Sequence, residues 1–176
     1  DQRFVNTYWK SFGDRLIYNT FDWAIRDEDG YYFILGRTDD VINVAGHRLG
    51  TREIEEAISR HAAVTEVAVV GVADALKGQV ARAFVVSNNP AVLQDETLRQ
   101  RLEAEIMQTV DQQLGAVARP ARVLFVGALP KTRSGKLLRR VVQAICEGRE
   151  PGDLSTLEDA QTIQQLKDAV SAIPCG

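Results

Sequence analysis

The chain has 176 residues, of which 45% are apolar and 26% are charged, so it is long enough for one ordinary globular core. Its 21 Lys and Arg residues against 24 Asp and Glu residues leave a net charge of -3, which argues against a dedicated nucleic-acid binder. No apolar run approaches the roughly 20 residues of a membrane span. Cys146 and Cys175 are too few for a disulfide framework or a Cys-ligated zinc site.

We expect no targeting segment at the amino terminus of this sequence. The chain begins at Asp1 without an initiator Met, and it lacks the basic and apolar regions of a signal peptide. We therefore expect a fragment of a longer cytoplasmic protein.

Aromatic residues are concentrated at the start of the chain. Ten of the Phe, Trp and Tyr residues precede Thr38, and only Phe84 and Phe125 follow it. This break predicts that residues 1–38 belong to a different packing unit from the rest. Within them, the turn signal of residues 27–30 separates two aromatic and branched runs, which predicts a β-hairpin.

The remaining elements follow from apolar periodicity. β-branched runs predict strands at 41–44, 64–72, 80–86 and 122–126. In residues 80–86 the apolar positions alternate, which predicts a strand with one buried face. Apolar residues at helical spacing predict helices at 51–60 with Thr51 as the N-cap, at 96–114, from 137 to about 148, and within 157–173. Pairs at helical spacing, Arg99 with Glu103 and Arg101 with Glu105, support the second of these. We expect an α+β fold with one small mixed sheet flanked by helices.

The most unusual stretch is residues 129–140, in which five residues are basic and none is acidic. A solvated helix start and an electrostatic nucleic-acid or localisation patch both remain open for such a run. A P-loop is excluded because Pro130 and Leu137 stand where that signature needs Gly and Ser or Thr. The segment presents Lys136 after a Pro-, Thr-, Ser- and Gly-containing loop, at the mouth of the helix. A lysine there could neutralise phosphate and carboxylate oxygens together.

A second unusual stretch is residues 36–50, where glycines, arginines and aspartates border a short apolar strand. A tight turn with exposed charges explains it, and His47 alone is better read as a surface histidine than as a ligand. His61 has no metal-ligand spacing to it, and the adjacent Asp39 and Asp40 point apart in extended chain. We expect no metal site in this chain.

Together these stretches resemble the carboxy-terminal part of the acyl-CoA synthetases, in the superfamily of adenylate-forming enzymes. The motifs that carry the resemblance occur in order at 18–22, 29–31, 36–40, 43–50 and 129–136. The sequence of residues 46–50 resembles that of the short-chain branch of the family, which activates acetate or propionate. Phe21 stands where most members have Gly, and residues 21–23 with 146–154 resemble the propionyl-CoA synthetases (propionate–CoA ligases) in particular.

The resemblance implies an acid–thiol ligase reaction in two steps. ATP, with Mg²⁺, and a carboxylate first give an acyl-adenylate and pyrophosphate, and coenzyme A then displaces AMP. It implies that Lys136 is the catalytic lysine of the first step and that Asp22 and Arg37 bind the nucleotide. Asp39 would be the hinge about which the small domain swings between the steps.

For the second step, the resemblance places Gly46, His47 and Arg48 against coenzyme A. It also implies three regions: residues 1–38 as the end of a large N-terminal domain, 39–150 as a mobile C-terminal domain, and 151–176 as a tail with an amphipathic helix. The large domain would hold the acyl pocket, so the fragment alone is expected to be inactive.

The implied partners are that large domain, a small carboxylic acid, ATP and coenzyme A, with no nucleic acid or membrane. A lysine acyltransferase and deacylase acting on Lys136 would remove and restore its charge. The alternative is a stand-alone regulatory module that uses the same small domain to bind a nucleotide or a partner protein.

Overall fold

A computed structural model describes residues 2–38 and 40–172 of the chain. The chain folds as two compact units, Asp1–Val41 and Ile42–Gly176. The boundary predicted after residue 38 lies close to this division, and the separation of 151–176 as a tail stays a prediction. Among residues 2–38 and 40–172, every helix is too short or too polar to span a membrane.

The first unit consists of a short helix and two antiparallel hairpins. Its elements are α1 (Gln2–Tyr8), β1 (Trp9–Phe12), β2 (Arg15–Tyr18), β3 (Asp22–Arg26) and β4 (Tyr32–Arg37), with β1 paired to β2 and β3 to β4. The second hairpin confirms the predicted one. Its turn forms because the Asp27 carboxylate accepts the Tyr31 N–H at 2.8 Å and Gly30 adopts a φ of 91°.

The second unit is a mixed five-stranded sheet with helices on both faces. Its strands are β5 (Val41–Val44), β6 (His47–Gly50), β7 (Val64–Asp74), β8 (Gly78–Ser87) and β9 (Arg122–Phe125), and its helices are α2 (Thr51–Ser59), α3 (Glu96–Leu114), α4 (Arg139–Cys146) and α5 (Gln161–Ser171). The strand order is β6-β5-β8-β7, and β9 lies beside β8 as its parallel partner. The predicted α+β class with a small mixed sheet is confirmed.

Two apolar cores lie on opposite faces of this sheet. One packs α2 and α3 around Val69 and Ala83, and the other packs α4 and α5 around Phe84 and Val70. Consecutive residues of β8 therefore face different cores, and Ala83, Phe84 and Val85 are all completely buried. The prediction that this strand has one buried face is wrong, because helices cover both of its sides.

The predicted helix over 96–114 is confirmed with its inward stripe, and the Asp95 carboxylate caps it by accepting the Leu98 N–H at 3.0 Å. The Arg101–Glu105 pair forms at 2.8 Å. Arg99 and Glu103 do not pair with each other. Glu96 binds the Arg99 guanidinium at 2.7 Å, and the Glu103 carboxylate accepts a backbone N–H of β9 at 3.0 Å.

The predicted cap of the first long helix is wrong. Gly50 is the N-cap of α2, and Thr51 is the first helical residue. Thr51 is buried against the core, and its hydroxyl oxygen has no hydrogen-bond partner among the described residues. Packing the side chain inward removes it from the position in which it could accept a helix N–H.

Candidate functional site

The basic stretch forms a tight turn rather than the start of a helix. Lys131 pairs antiparallel with Leu137, and the Thr132 N–H donates to the Lys136 carbonyl at 2.9 Å. Helix α4 begins only at Arg139, so the expectation that Lys136 stands at a helix mouth is corrected. Lys136 lies on the returning arm of this turn, which we call the Lys136 turn (residues 131–137).

Local hydrogen bonds close the tip of the Lys136 turn. The Gly135 N–H donates to the Thr132 carbonyl at 2.8 Å, and the Lys136 N–H donates to the Thr132 hydroxyl at 3.1 Å. Gly135 has a φ of 80°, a left-handed conformation that disfavours any residue with a Cβ. The loop composition noted in the sequence is therefore explained by the geometry of the turn.

The Lys136 side chain is exposed. Across residues 2–38 and 40–172, no hydrogen bond or ion pair engages its ammonium group. An ammonium in water on a short turn can be presented to an anionic ligand without first breaking an internal ion pair. The role that the resemblance implies for Lys136 requires a lysine exposed to solvent, and Lys136 meets that condition.

Two ion pairs fix the base of the turn. At its start, the Lys131 ammonium binds the Glu66 carboxylate of β7 at 2.6 Å. Just after its end, the Arg139 guanidinium binds both carboxylate oxygens of Glu55 on α2. Both ends of the turn are thus held while residues 133–136 are exposed, an arrangement that limits the positions available to Lys136.

The Glu55–Arg139 pair also covers the outer edge of β7. Glu55 is buried, and its carboxylate accepts the Val69 N–H at 2.7 Å while Arg139 donates to the Val69 carbonyl at 3.4 Å. Because α2 and α4 pack on opposite faces of the sheet, this pair joins the two faces around an edge strand. Neither Glu55 nor Glu66 was among the predicted site residues.

The predicted coenzyme A residues lie on a second turn. Ala45 and Gly46 join β5 to β6 with φ values of 50° and 86°, the left-handed pair typical of a two-residue type I′ hairpin. Gly46, His47 and Arg48 are all exposed. A Cβ atom at Gly46 would have no other heavy atom within 4 Å. The positive φ of Gly46, and not crowding by neighbours, is therefore what requires glycine here.

The two turns lie at opposite ends of the sheet. Glu66, which binds the base of the Lys136 turn, is near the start of β7. At the other end of β7, Asp74 pairs with Gly78 of β8. Gly78 also pairs with Val44, which lies next to the Gly46 turn. The eight residue-to-residue steps from Glu66 to Asp74 span roughly 26 Å of strand at about 3.3 Å each. The structure therefore does not bring Lys136 together with Gly46, His47 and Arg48.

The predicted nucleotide-binding residues are brought together in the first unit. Asp22 and Arg37 are partners in the register of β3 and β4, and their charged groups are 3.9 Å apart. The Arg37 guanidinium also lies 6.0 Å from the centre of the Phe21 ring. Both charged side chains are exposed. Asp39, the predicted hinge, lies outside the described residues.

Phe21 has an unusual backbone. Its φ is 63°, in the left-handed region, and its carbonyl accepts the Thr38 N–H at 2.6 Å. Most non-glycine residues avoid this conformation. The observation explains in physical terms why a glycine would suit this position, where the sequence has Phe instead.

Other candidate chemistry is weak. Burial raises the pKa of the Cys146 thiol to about 11, so a reactive thiolate is not favoured there. Within the described ranges, no three His, Cys, Asp or Glu residues are grouped so that they could hold a metal ion.

Comparison with known proteins places these features in a family context. Residues 53–136 match the AMP-binding enzyme C-terminal domain. The chain is 63% identical over 170 residues to the propionate–CoA ligase of Escherichia coli K12, an alignment that covers 97% of this chain and 27% of that protein. It is 46% identical over 172 residues to the acetyl-coenzyme A synthetase of Pyrobaculum aerophilum, covering 98% of this chain and 25% of that protein. The chain spans about a quarter of the length of these relatives.

Solved structures agree with the sequence relatives. ATP-bound MatB from Rhodopseudomonas palustris is 32% identical, with a TM-score of 0.62 over 75% of this chain and 25% of that chain. An ATP-bound RpMatB-BxBclM chimera is 31% identical, with a TM-score of 0.64 over 78% of this chain and 26% of that chain.

Proposed function

We propose that the chain is the C-terminal part of an ATP-dependent short-chain acyl-CoA synthetase, because residues 53–136 match the AMP-binding enzyme C-terminal domain. The reaction joins a small acid to coenzyme A through an acyl-adenylate, and releases pyrophosphate and AMP. Propionate is the proposed acid, since identity to the propionate–CoA ligase is 63% against 46% for the acetyl-coenzyme A synthetase.

The observation that carries this proposal is the exposed Lys136 ammonium on the returning arm of a turn whose base is fixed. In the first step the carboxylate attacks the α-phosphate and pyrophosphate leaves, so negative charge accumulates on the oxygens around the phosphorus, close to the reacting carboxylate. A cation placed between them stabilises the transition state more than the separate reactants. Lys136 is the proposed source of that charge.

The separation of the two turns supports a different role for the Gly46 turn. With Lys136 at one end of β7 and Gly46, His47 and Arg48 near the other, the domain must present a different end to the nucleotide in each step. Rotation about a few loop residues is a common way to do this. Asp39 is the proposed hinge, and the exposed Gly46 turn is the proposed contact for coenzyme A.

The nucleotide is proposed to contact the Asp22–Arg37 pair. The Asp22 carboxylate oxygens can accept hydrogen bonds from the two ribose hydroxyls, and the Arg37 guanidinium can donate to oxygens of the nucleotide. Mg²⁺ is proposed to arrive with ATP. The described residues hold no cluster of three metal-binding side chains, so this chain is not proposed to hold the ion.

The proposed partner is a large N-terminal domain of the same protein, in the cytoplasm. This domain would contribute the acyl pocket, so the 176-residue chain alone is proposed to be inactive. Because Lys136 is exposed, a lysine acyltransferase and deacylase could reach it. Acylation would remove the charge that the first step needs.

The test is pyrophosphate exchange into ATP by the full-length protein that contains this chain, with acetate, propionate and butyrate supplied separately. We expect exchange with all three acids and the highest rate with propionate. Exchange with none of them would contradict the proposed reaction, and a higher rate with acetate would contradict the proposed acid.

A further inference from the structure

The chain returns to the Lys136 turn after helix α4. Residues 153–158, which we call the strap, run alongside the first arm of that turn. Thr132 pairs antiparallel with Leu157, and the Glu158 N–H donates to the Lys131 carbonyl at 2.9 Å. The Arg133 N–H donates to the Thr156 carbonyl at 3.3 Å. The strap is thus joined to the first arm of the turn by one isolated β-bridge and backbone hydrogen bonds.

The strap has its own anchors in the second unit. Leu154 packs against the core formed with α4 and α5. The Asp153 carboxylate accepts the Ser155 N–H at 2.9 Å, and the Arg140 guanidinium of α4 donates to the Asp153 carbonyl at 3.2 Å. The Leu157 N–H closes a turn onto the Leu154 carbonyl at 2.9 Å. A segment held at one side by a core can transmit that rigidity to the turn on its other side.

The need for such support follows from the exposure of the turn. Residues 133–136 are all exposed, and the tip contains a left-handed glycine, so few packing contacts restrict it. Displacement of a catalytic group by about 1 Å can cost roughly a hundredfold in rate. Backbone hydrogen bonds between the strap and residues 131 and 133 limit such displacement without covering Lys136.

We propose that the strap is a positioning element that holds Lys136 in the orientation needed for adenylate formation. The proposal rests on the proposed role of Lys136 and adds residues beyond the family match, which ends at Lys136 itself. The strap contributes hydrogen bonds to the backbone of the turn, and these bonds do not involve the side chain of Glu158.

The first test is amide hydrogen exchange in the 176-residue chain. Glu158→Pro removes the N–H that binds Lys131, whereas Glu158→Ala keeps it and serves as the matched control. Loss of one such hydrogen bond is expected to speed exchange of the Thr132 and Gly135 amides by about tenfold in the proline variant only. If Glu158→Pro does not fold, Leu154→Ala, which removes the core anchor, is expected to give the same acceleration.

The second test measures each half-reaction in a chimera in which this chain replaces the matching part of the Escherichia coli propionate–CoA ligase. Glu158→Pro is expected to slow adenylate formation by about tenfold and to leave thioester formation from supplied acyl-adenylate within about twofold. Glu158→Ala is expected to match the unsubstituted chimera in both steps.

The outcomes separate this inference from the proposed function. Equal slowing of both half-reactions, or unchanged exchange of the Thr132 and Gly135 amides, would overturn the positioning role of the strap. An unsubstituted chimera that forms no adenylate would instead contradict the proposed function, and the exchange experiment still decides whether the strap holds the turn.

Discussion

Removing the Glu55 carboxylate tests the interaction that ties α2, β7 and α4 together. Glu55→Ala leaves the buried Val69 N–H without its acceptor, which costs about 1–3 kcal/mol. It also breaks the ion pair with Arg139, whose side chain is 29% exposed, so water compensates part of that loss and we assign it about 1–2 kcal/mol. The free energy of unfolding should therefore fall by about 2–5 kcal/mol in total.

Urea unfolding of the 176-residue chain, followed by circular dichroism, measures this change. With a slope of about 1.5–2 kcal/mol per molar urea, the midpoint should fall by about 1–3 M. Glu55→Gln keeps the volume and an acceptor oxygen for Val69, so it should lose only about 1–2 kcal/mol. A double-mutant cycle with Arg139→Gln isolates the pair, with a coupling of about 1 kcal/mol or more expected.

Glu56→Ala is the matched control, since Glu56 is the exposed neighbour on the same helix and pairs with Arg60 at 3.6 Å. An exposed pair of this kind contributes about 0.5 kcal/mol or less. A loss in Glu55→Ala no larger than that in Glu56→Ala, or no coupling in the cycle with Arg139, would refute the reasoning.

Two further changes test local geometry. The Lys77 and Leu76 N–H groups donate to the Asp74 carboxylate and lower its pKa below the ordinary 3.8. The ionised carboxylate therefore stabilises the fold fully above pH 3.8, and this contribution is lost as the pH falls through the lowered pKa. Asp74→Ala should therefore destabilise the chain at about pH 6 and cease to do so near pH 2 in urea titrations, and an equal loss at both would contradict this. Ala45→Asn should raise stability by about 0.5–1 kcal/mol and Ala45→Val should lower it, because Asn tolerates the φ of 50° and a β-branched residue does not. Thermal melting that ranks Ala45→Val at or above Ala45→Asn would contradict the turn assignment.

Features set by neighbours in sequence could be predicted. The Asp27–Gly30 turn defined the second hairpin, and that hairpin's register in turn places Asp22 opposite Arg37. The apolar repeat over Glu96–Leu114 predicted α3, since side chains four residues apart share a helix face. The motif around Lys136 led to an exposed lysine, whose catalytic role stays a prediction, although the predicted helix mouth was wrong.

Features set by distant parts of the chain could not be predicted from one sequence. Glu53, Glu55 and Glu56 are chemically equivalent in the sequence, and only the packing of α2 against β7 makes Glu55 the buried one. Its partner Arg139 is 84 residues away. The burial of both faces of β8 depends in the same way on where α4 and α5 pack.

Lys136 is proposed to serve the first half-reaction alone, and the most direct measurement compares the two half-reactions of Lys136→Ala in the chimera with the Escherichia coli propionate–CoA ligase. Lys167→Ala, which changes another exposed lysine, is the control. We predict that Lys136→Ala abolishes adenylate formation from acid and ATP and leaves thioester formation from supplied acyl-adenylate at the control rate. Equal loss of both half-reactions, or full adenylate formation without the lysine, would contradict the account.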